Sequence, residues 1–298
     1  MPPILTKRTI TWLLSITVIG VALLLLSTTF KKEKTLPVAK EPEVKQEVSP
    51  QPKIQLIGKS FEGRDIEAYT YGDGPTHLVF IGGIHGGYEW NTVVLAYGII
   101  DYLNAHLQKI PKNITISILP SVNPDAVFKV TGKVGRFSAE DVTPDKKILT
   151  SARFNARDVD LNRNFDCKWQ TKSTWQSKTV SAGTSVFSEP ETKIIKDFLL
   201  RSAPAAVVFW HSKSNGVYAS QCEQGILSGT RDLMNTYAQA SGYPAIDSFD
   251  AYVVTGAAED WLASIGIPAI TVELKTHEGM DLGKNIAGTQ AVIERYTK

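Results

Sequence analysis

Cysteine is nearly missing from this chain, which has only Cys167 and Cys222 in 298 residues. Two thiols can build neither a disulfide framework nor the cysteine-rich cluster of a structural zinc site. A strong charge of one sign is also lacking, since the formal net charge is only +2. Even that excess is local: residues 1–53 carry eight Lys/Arg against four Glu, a surplus of +4 that leaves the remainder near −2. No basic face is therefore left for nucleic acid. No internal repeat is visible, and histidine is scarce, with five in all. What remains is ordinary. Hydrophobic residues make up 43% of a chain of this length, which suits one large α/β domain and excludes global disorder.

One long hydrophobic run stands out, Thr9 to Phe30, with Lys7 and Arg8 before it and Lys31, Lys32 and Lys34 after it. A bilayer core of about 30 Å takes roughly 20 such residues as a helix, so the run is long enough to span. It ends in neither a small-x-small cleavage site nor a lipobox cysteine, so we expect an uncleaved anchor, with a cleaved signal peptide and secretion as the alternative. Positive charge on both flanks leaves orientation undecided by loop charge. The short tail, residues 1–8, and the long domain after the run favour a single-pass protein with its domain outside the cytoplasm. Residues 31–53, dominated by Lys, Glu, Pro and Gln, read as an extended tether. The folded domain is expected over residues 54–298, without a pro-domain before it. An outward-facing domain permits a Cys167–Cys222 disulfide; two unrelated, partly buried thiols are the alternative, and both stay open.

From Ile54 onward strand-like and helix-like runs alternate. His77–Ile81 reads as an apolar strand entering a glycine-rich turn, and Glu89–Gln108 shows helical spacing through Val93, Ala96, Tyr97, Ile100, Leu103 and Leu107. Strands are expected at Ile114–Leu119, Ala205–Trp210 and Ala269–Leu274. Helices are expected at Pro190–Arg201, entered through a Ser188/Glu191 capping box, and at Ala257–Ile265. This order predicts a single α/β domain with a mixed, largely parallel twisted β-sheet covered by helices on both faces.

His85, His211 and Glu273 each fall at or just past the C-terminal end of a predicted strand, the edge where open α/β sheets place ligands. Hydrolytic zinc prefers three His/Glu-type ligands and a water. His85 and Glu89 flank one turn, and His211 is the best third ligand. Each has a plainer reading: a histidine after a glycine turn commonly caps or packs, and Glu89 suits a helix N-terminus. His77 and His106 read as surface residues. His277 has no evident partner.

The resemblance becomes specific when the motifs are taken in order. They are Gly82-Gly83-Ile84-His85 with Glu89, Asn123-Pro124-Asp125, Arg153 followed by Asp160-Leu161-Asn162-Arg163-Asn164-Phe165, Ser188-Glu189-Pro190-Glu191-Thr192, His211-Ser212, Tyr252 before Thr255-Gly256, and Thr271-Val272-Glu273-Leu274. Across roughly residues 54–298 the chain resembles the M14 family of zinc carboxypeptidases. The resemblance implies one Zn2+ per chain on His85, Glu89 and His211, with Glu273 as general base. It implies Arg153 at the developing oxyanion, with Arg157 as a competitor for that task. Asn162 and Arg163 would clamp the substrate's terminal carboxylate, and Tyr252 would close over it. Glu259 occupies the position of the residue beneath the C-terminal side chain, where an acid would favour a basic residue; a solvent-facing acid at a helix N-terminus is the plain alternative.

One departure is visible. The family has two residues between its first His and Glu, and here Gly86, Gly87 and Tyr88 make three. A turn already helical at His85 would still place both on one face, and in a loop the paired glycines would absorb the extra residue. The resemblance thus implies a metallocarboxypeptidase acting on peptides or peptidoglycan stem peptides; together with the N-terminal run, a monomer held at a membrane is expected. The alternatives are a zinc deacylase of the aspartoacylase type and a binding module on a peptidase fold.

Overall fold

Alternate residues of the central strands face opposite ways, and both sets are apolar. Along Ala206–Ser212, Val208 and Trp210 join one buried cluster while Val207 and Phe209 join another. A strand that is hydrophobic on both faces belongs in the middle of a sheet covered on both sides, and that is where this one lies. The computed structural model describes residues 51–297. The predicted anchor at residues 9–30 and nearly all of the tether lie outside them. Among the described residues no helix is long and apolar enough to cross a membrane.

In chain order the elements are β1 (Lys53–Lys59), β2 (Asp65–Tyr71), β3 (Thr76–Ile81), α1 (Trp90–Ala105), β4 (Ile114–Leu119), α2 (Pro124–Thr131), α3 (Lys146–Ser151), β5 (Lys172–Trp175), β6 (Lys178–Ser181), α4 (Pro190–Ser202), β7 (Ala206–Ser212), β8 (Gly216–Ala219), α5 (Ser228–Ser241), β9 (Ala245–Ile246), α6 (Ala258–Ser264), β10 (Ala269–Leu274) and α7 (Leu282–Arg295). Eight strands form one sheet in the order β1-β2-β4-β3-β7-β10-β8-β9, and β5 and β6 form a separate hairpin. The run β4-β3-β7-β10 is parallel, while β1, β2 and β8 join by antiparallel pairing. Residues of α1, α5 and α7 pack into the cluster on one face, and residues of α4 and α6 into the cluster on the other. The expected mixed, largely parallel sheet between helical layers is what forms.

Local expectations needed correction in three places. β1 starts at Lys53, inside the segment read as tether. The first long helix starts at Trp90 and ends at Ala105, because Gly86–Glu89 winds as a tighter 3-10 turn and Leu107–Lys109 as another. The Ser188/Glu191 capping box does not form. Glu189 is the N-cap of α4 without a side-chain cap bond, Pro190 supplies the first-turn conformation, and Ser188 Oγ donates to Glu189 Oε1 at 2.8 Å instead.

The parallel strands β3, β7 and β10 all end at the same sheet edge. There His211 and Glu273 sit opposite each other in register. Residues 82–89 leave β3 at this edge and carry His85.

Candidate metal centre

The turn after β3 is tight because its glycines permit it. Gly86 has φ +46°, a left-handed conformation that costs most other residues, and a Cβ there would stand 2.4 Å from the Cβ of Ala126. A Cβ at Gly87 would stand 2.5 Å from the Ala126 carbonyl oxygen. Ala126 belongs to α2, whose start is fixed by Asn123 accepting from Ala126 N and by Pro124 in the first turn. The turn is thus pressed against α2, and the extra residue between His85 and Glu89 is taken up in a 3-10 turn rather than an α-helical one.

The result is convergence. Ligand atoms of His85, Glu89 and His211 all lie within 4.8 Å of one another, and all three residues are buried. Glu89 Oε2 is 3.2 Å from His211 Nδ1 and also accepts from Ser212 N at 3.2 Å. His85 Nδ1 is buried with no hydrogen-bond partner. A buried ring nitrogen without a partner is costly in a protein interior, and here it sits beside an imidazole and a carboxylate. Two imidazoles and one carboxylate are the donor set of hydrolytic zinc, so these residues fit the ion that the sequence implied.

Around the donors the charges are paired. Arg153 Nε donates to Asp160 Oδ2 at 2.9 Å, while its Nη1 lies 3.7 Å from Glu89 Oε1. Asp160 also accepts from Asn162 N and stands 3.5 Å from His85 Nδ1. Burial, aided by nearby Arg153, pushes His85 well below the usual imidazole range, toward the neutral form that a metal ligand needs. Burial alone would do the same to His211. Its bonds to Glu259 and Glu89 outweigh that and raise it to about 10. Burial, reinforced by the charge of Glu89, raises Glu273 to about 7, with Ser214 N donating to its Oε2 at 3.0 Å.

All nine residues proposed from sequence line one cavity of ≈ 730 Å³: His85, Glu89, His211, Glu273, Arg153, Asn162, Arg163, Tyr252 and Glu259. Arg157 lies outside its lining, partly exposed, pairing with Glu189 at 3.6 Å. Arg163 is anchored through Nε to Thr174 O and through Nη1 to Asn162 O, at 3.2 and 2.6 Å. Asn162 Oδ1 accepts from Ala258 N at 2.8 Å, which leaves its amide NH2 for another acceptor. Tyr252 stands in an irregular segment, its ring edge-on to Phe249 at 4.9 Å.

Sequence reasoning missed three things here. Asp160 was quoted within its motif but given no task, although it bonds Arg153. His277 does have a partner, Ser212 Oγ at 2.7 Å, and its ring lies 4.6 Å from that of Tyr88. Glu259, read as a receptor for a substrate side chain or as a solvent-facing acid, is buried with Oε1 2.8 Å from His211 Nε2. Cys167 and Cys222, left open, are joined in a disulfide beside the cavity.

Comparison with known proteins agrees with this arrangement. The zinc carboxypeptidase (peptidase M14) profile matches residues 42–286. Carboxypeptidase B of Helicoverpa zea is 28% identical over 247 residues, covering 72% of this chain; the chain spans 56% of that relative's length. Carboxypeptidase A of Helicoverpa armigera superposes with a TM-score of 0.60 at 21% identity, over 83% of this chain and 68% of the other. Murein-tripeptide amidase of Escherichia coli O157 gives 0.55 at 20% identity, over 85% and 94%. At these identities the two structures speak for the fold.

Proposed function

The chain belongs to the zinc carboxypeptidase family, peptidase M14, and from that premise we propose that it hydrolyses the C-terminal peptide bond of a substrate held by its free carboxylate. The carrying observation is that one cavity brings together the His85, Glu89 and His211 donors, the half-buried carboxylate of Glu273 and the Asn162–Arg163 pair.

His85, Glu89 and His211 would hold one zinc ion per chain. When bound, zinc supplies a Lewis acid that polarises a carbonyl and makes water acidic near neutral pH. The chain's own residues do the rest. Glu273 takes a proton from the attacking water and returns it to the leaving amine; an acid with its pKa near the working pH suits both transfers. Arg153, fixed by Asp160, keeps a positive charge where negative charge develops on the scissile carbonyl. The Asn162 amide and the outer face of the Arg163 guanidinium bind the terminal carboxylate, with Arg's planar fork setting its orientation. Tyr252 covers the substrate from its loop and excludes water.

The same reading places a monomeric domain outside the cytoplasm, tethered by the run Thr9–Phe30. The length of that run supports a membrane span, and the Cys167–Cys222 disulfide supports an oxidising compartment. A stem peptide of peptidoglycan is the favoured special substrate, because a murein-tripeptide amidase shares the fold over most of its own length.

The test uses the purified full chain with a panel of peptides, muropeptide stems and single acylated amino acids, followed by mass spectrometry. Loss of single C-terminal residues, stopped by a zinc chelator and by Glu273→Gln, is the expected result. Cleavage only of the acylated amino acids would replace the reading by a deacylase, and no cleavage at all would reject it.

A further inference from the structure

His211 has two ring nitrogens with different neighbours. Nδ1 faces the donor cluster, 3.2 Å from Glu89 Oε2, and Nε2 points the other way, 2.8 Å from Glu259 Oε1. Each nitrogen thus faces a carboxylate, which can only accept; Nδ1 is the one inside the donor cluster, so with a metal on Nδ1 the ring's remaining hydrogen stays on Nε2, where Glu259 accepts it. The bond between Glu259 and Nε2 therefore fixes the ring's angle and, with a metal on Nδ1, its tautomer.

Glu259 is well placed for this, because its own element is pinned. It lies in the first turn of α6, where Ala258 N donates to Asn162 Oδ1 at 2.8 Å. Trp261, two residues onward, packs its ring 5.7 Å from Phe165 and 5.3 Å from Phe187. Glu259 is 3% exposed and His211 likewise, so solvent does not compete for the bond. The other histidine lacks such a support: Asp160 is 3.5 Å from His85 Nδ1, beyond hydrogen-bond length.

We propose that Glu259 is a positioning residue of the metal centre, holding His211 with Nδ1 directed at the ion, and that its charge does not select the substrate's C-terminal side chain. This rests on the metallocarboxypeptidase reading above. Outer-shell acids of this kind typically change metal affinity 10- to 100-fold when removed. Their effect appears in the metal's binding and ligand field before any substrate is present.

The experiment is a metal titration of the full chain after stripping with a chelator. Co2+ alone is added and followed by its visible absorption, and Zn2+ affinity is measured by competition with a chromophoric chelator. Wild type, Glu259→Gln and Glu259→Ala are compared, with far-UV circular dichroism to verify folding. Glu259→Ala is expected to weaken Zn2+ binding about 10- to 100-fold and to alter the Co2+ spectrum. Glu259→Gln, which keeps an acceptor for Nε2 and the side-chain volume, is expected to recover part of both. The ratio of Lys to Leu released from C-termini should be unchanged in Glu259→Gln. Wild-type affinity and spectrum in the folded variants overturn the proposal, as does a changed Lys-to-Leu ratio at unchanged metal affinity. If Glu259→Ala fails to fold, Glu259→Gln decides: affinity and spectrum both identical to wild type overturn the proposal, and weakened binding upholds it. A wild-type chain that binds neither metal overturns this inference and the proposed function together. A chain that binds metal but cleaves no peptide overturns the proposed function alone.

Discussion

Arg153 and Asp160 form a fully buried ion pair, Nε to Oδ2 at 2.9 Å, with side chains 3% and 0% exposed. Asp160 is thus the residue that holds in place the cation to which the proposed mechanism gives the oxyanion. Removing its charge leaves the guanidinium buried without a full partner, a loss of about 3–5 kcal/mol in comparable pairs. Asp160→Asn should lower the urea midpoint and reduce kcat more than it raises KM, since Arg153 is asked to act in the transition state. Urea unfolding and steady-state kinetics on the same preparations check both.

Glu273→Gln should keep metal binding and lose nearly all turnover. General base catalysis of this type contributes about 10²–10⁴ in rate. The carboxyl sits near 7 without metal, and a bound cation favours its ionised form. The plot of log kcat/KM for the zinc enzyme should therefore rise with pH and level off at or below about 7. The variant should show only residual activity without that limb.

Gly86→Ala tests the turn. An alanine must adopt φ +46° and place its Cβ 2.4 Å from that of Ala126. We expect destabilisation of about 2 kcal/mol or more, from the left-handed conformation and the clash together. Zn2+ affinity should fall as well, because the same turn aims His85. Thermal unfolding of the stripped and loaded protein separates the two effects.

The Cys167–Cys222 disulfide closes a loop with a sequence separation of 55. Cys167→Ser with Cys222→Ser should cost about 2–4 kcal/mol, chiefly through the freer unfolded chain. Reduction of the wild type should give a similar loss by chemical unfolding. Equal stability of oxidised and reduced protein would count against this.

Asp260 gives a pH dependence of stability. Burial pushes its carboxyl up to about 7, with the Gln221 N–H opposing. In the unfolded chain it ionises near pH 4. Between those values the folded state holds more protons than the unfolded state, so this group removes stability as pH rises from about 4 to about 7. Asp260→Asn, whose side-chain oxygen can still accept from Gln221 N, should flatten that part of the Tm–pH profile and raise Tm at pH 8.

Much of the site was readable because its carriers are short apolar strands. The runs ending at Ile81 and Trp210 are hydrophobic on both faces and the run ending at Leu274 on one, so their C-terminal ends place His85, His211 and Glu273 with little ambiguity. The β5–β6 hairpin was missed because Lys172–Trp175 and Lys178–Ser181 are mostly polar and pack only one face. The helix Ser228–Ser241 also passed unread, since its buried Leu233, Met234 and Tyr237 are diluted by Ser, Thr, Asn and Gln. The contacts of Glu259 and His277 were illegible for a different reason. Their partners, His211 and Ser212, are 48 and 65 residues away in sequence, and no local pattern encodes such a pairing.

In the parallel ladder Glu273 on β10 stands against His211 on β7, and the neighbours Val272 and Trp210 point to the opposite, oily side. Strand side chains alternate, so a slip of one residue would turn Glu273 into grease and bring Val272 or Leu274 to the water-facing mouth. A mis-threaded molecule would thus lose its metal site and its interior at once. Ion retention in a preparation is accordingly a fidelity assay for strand threading: the fraction of chains that hold the ion counts the fraction zipped correctly.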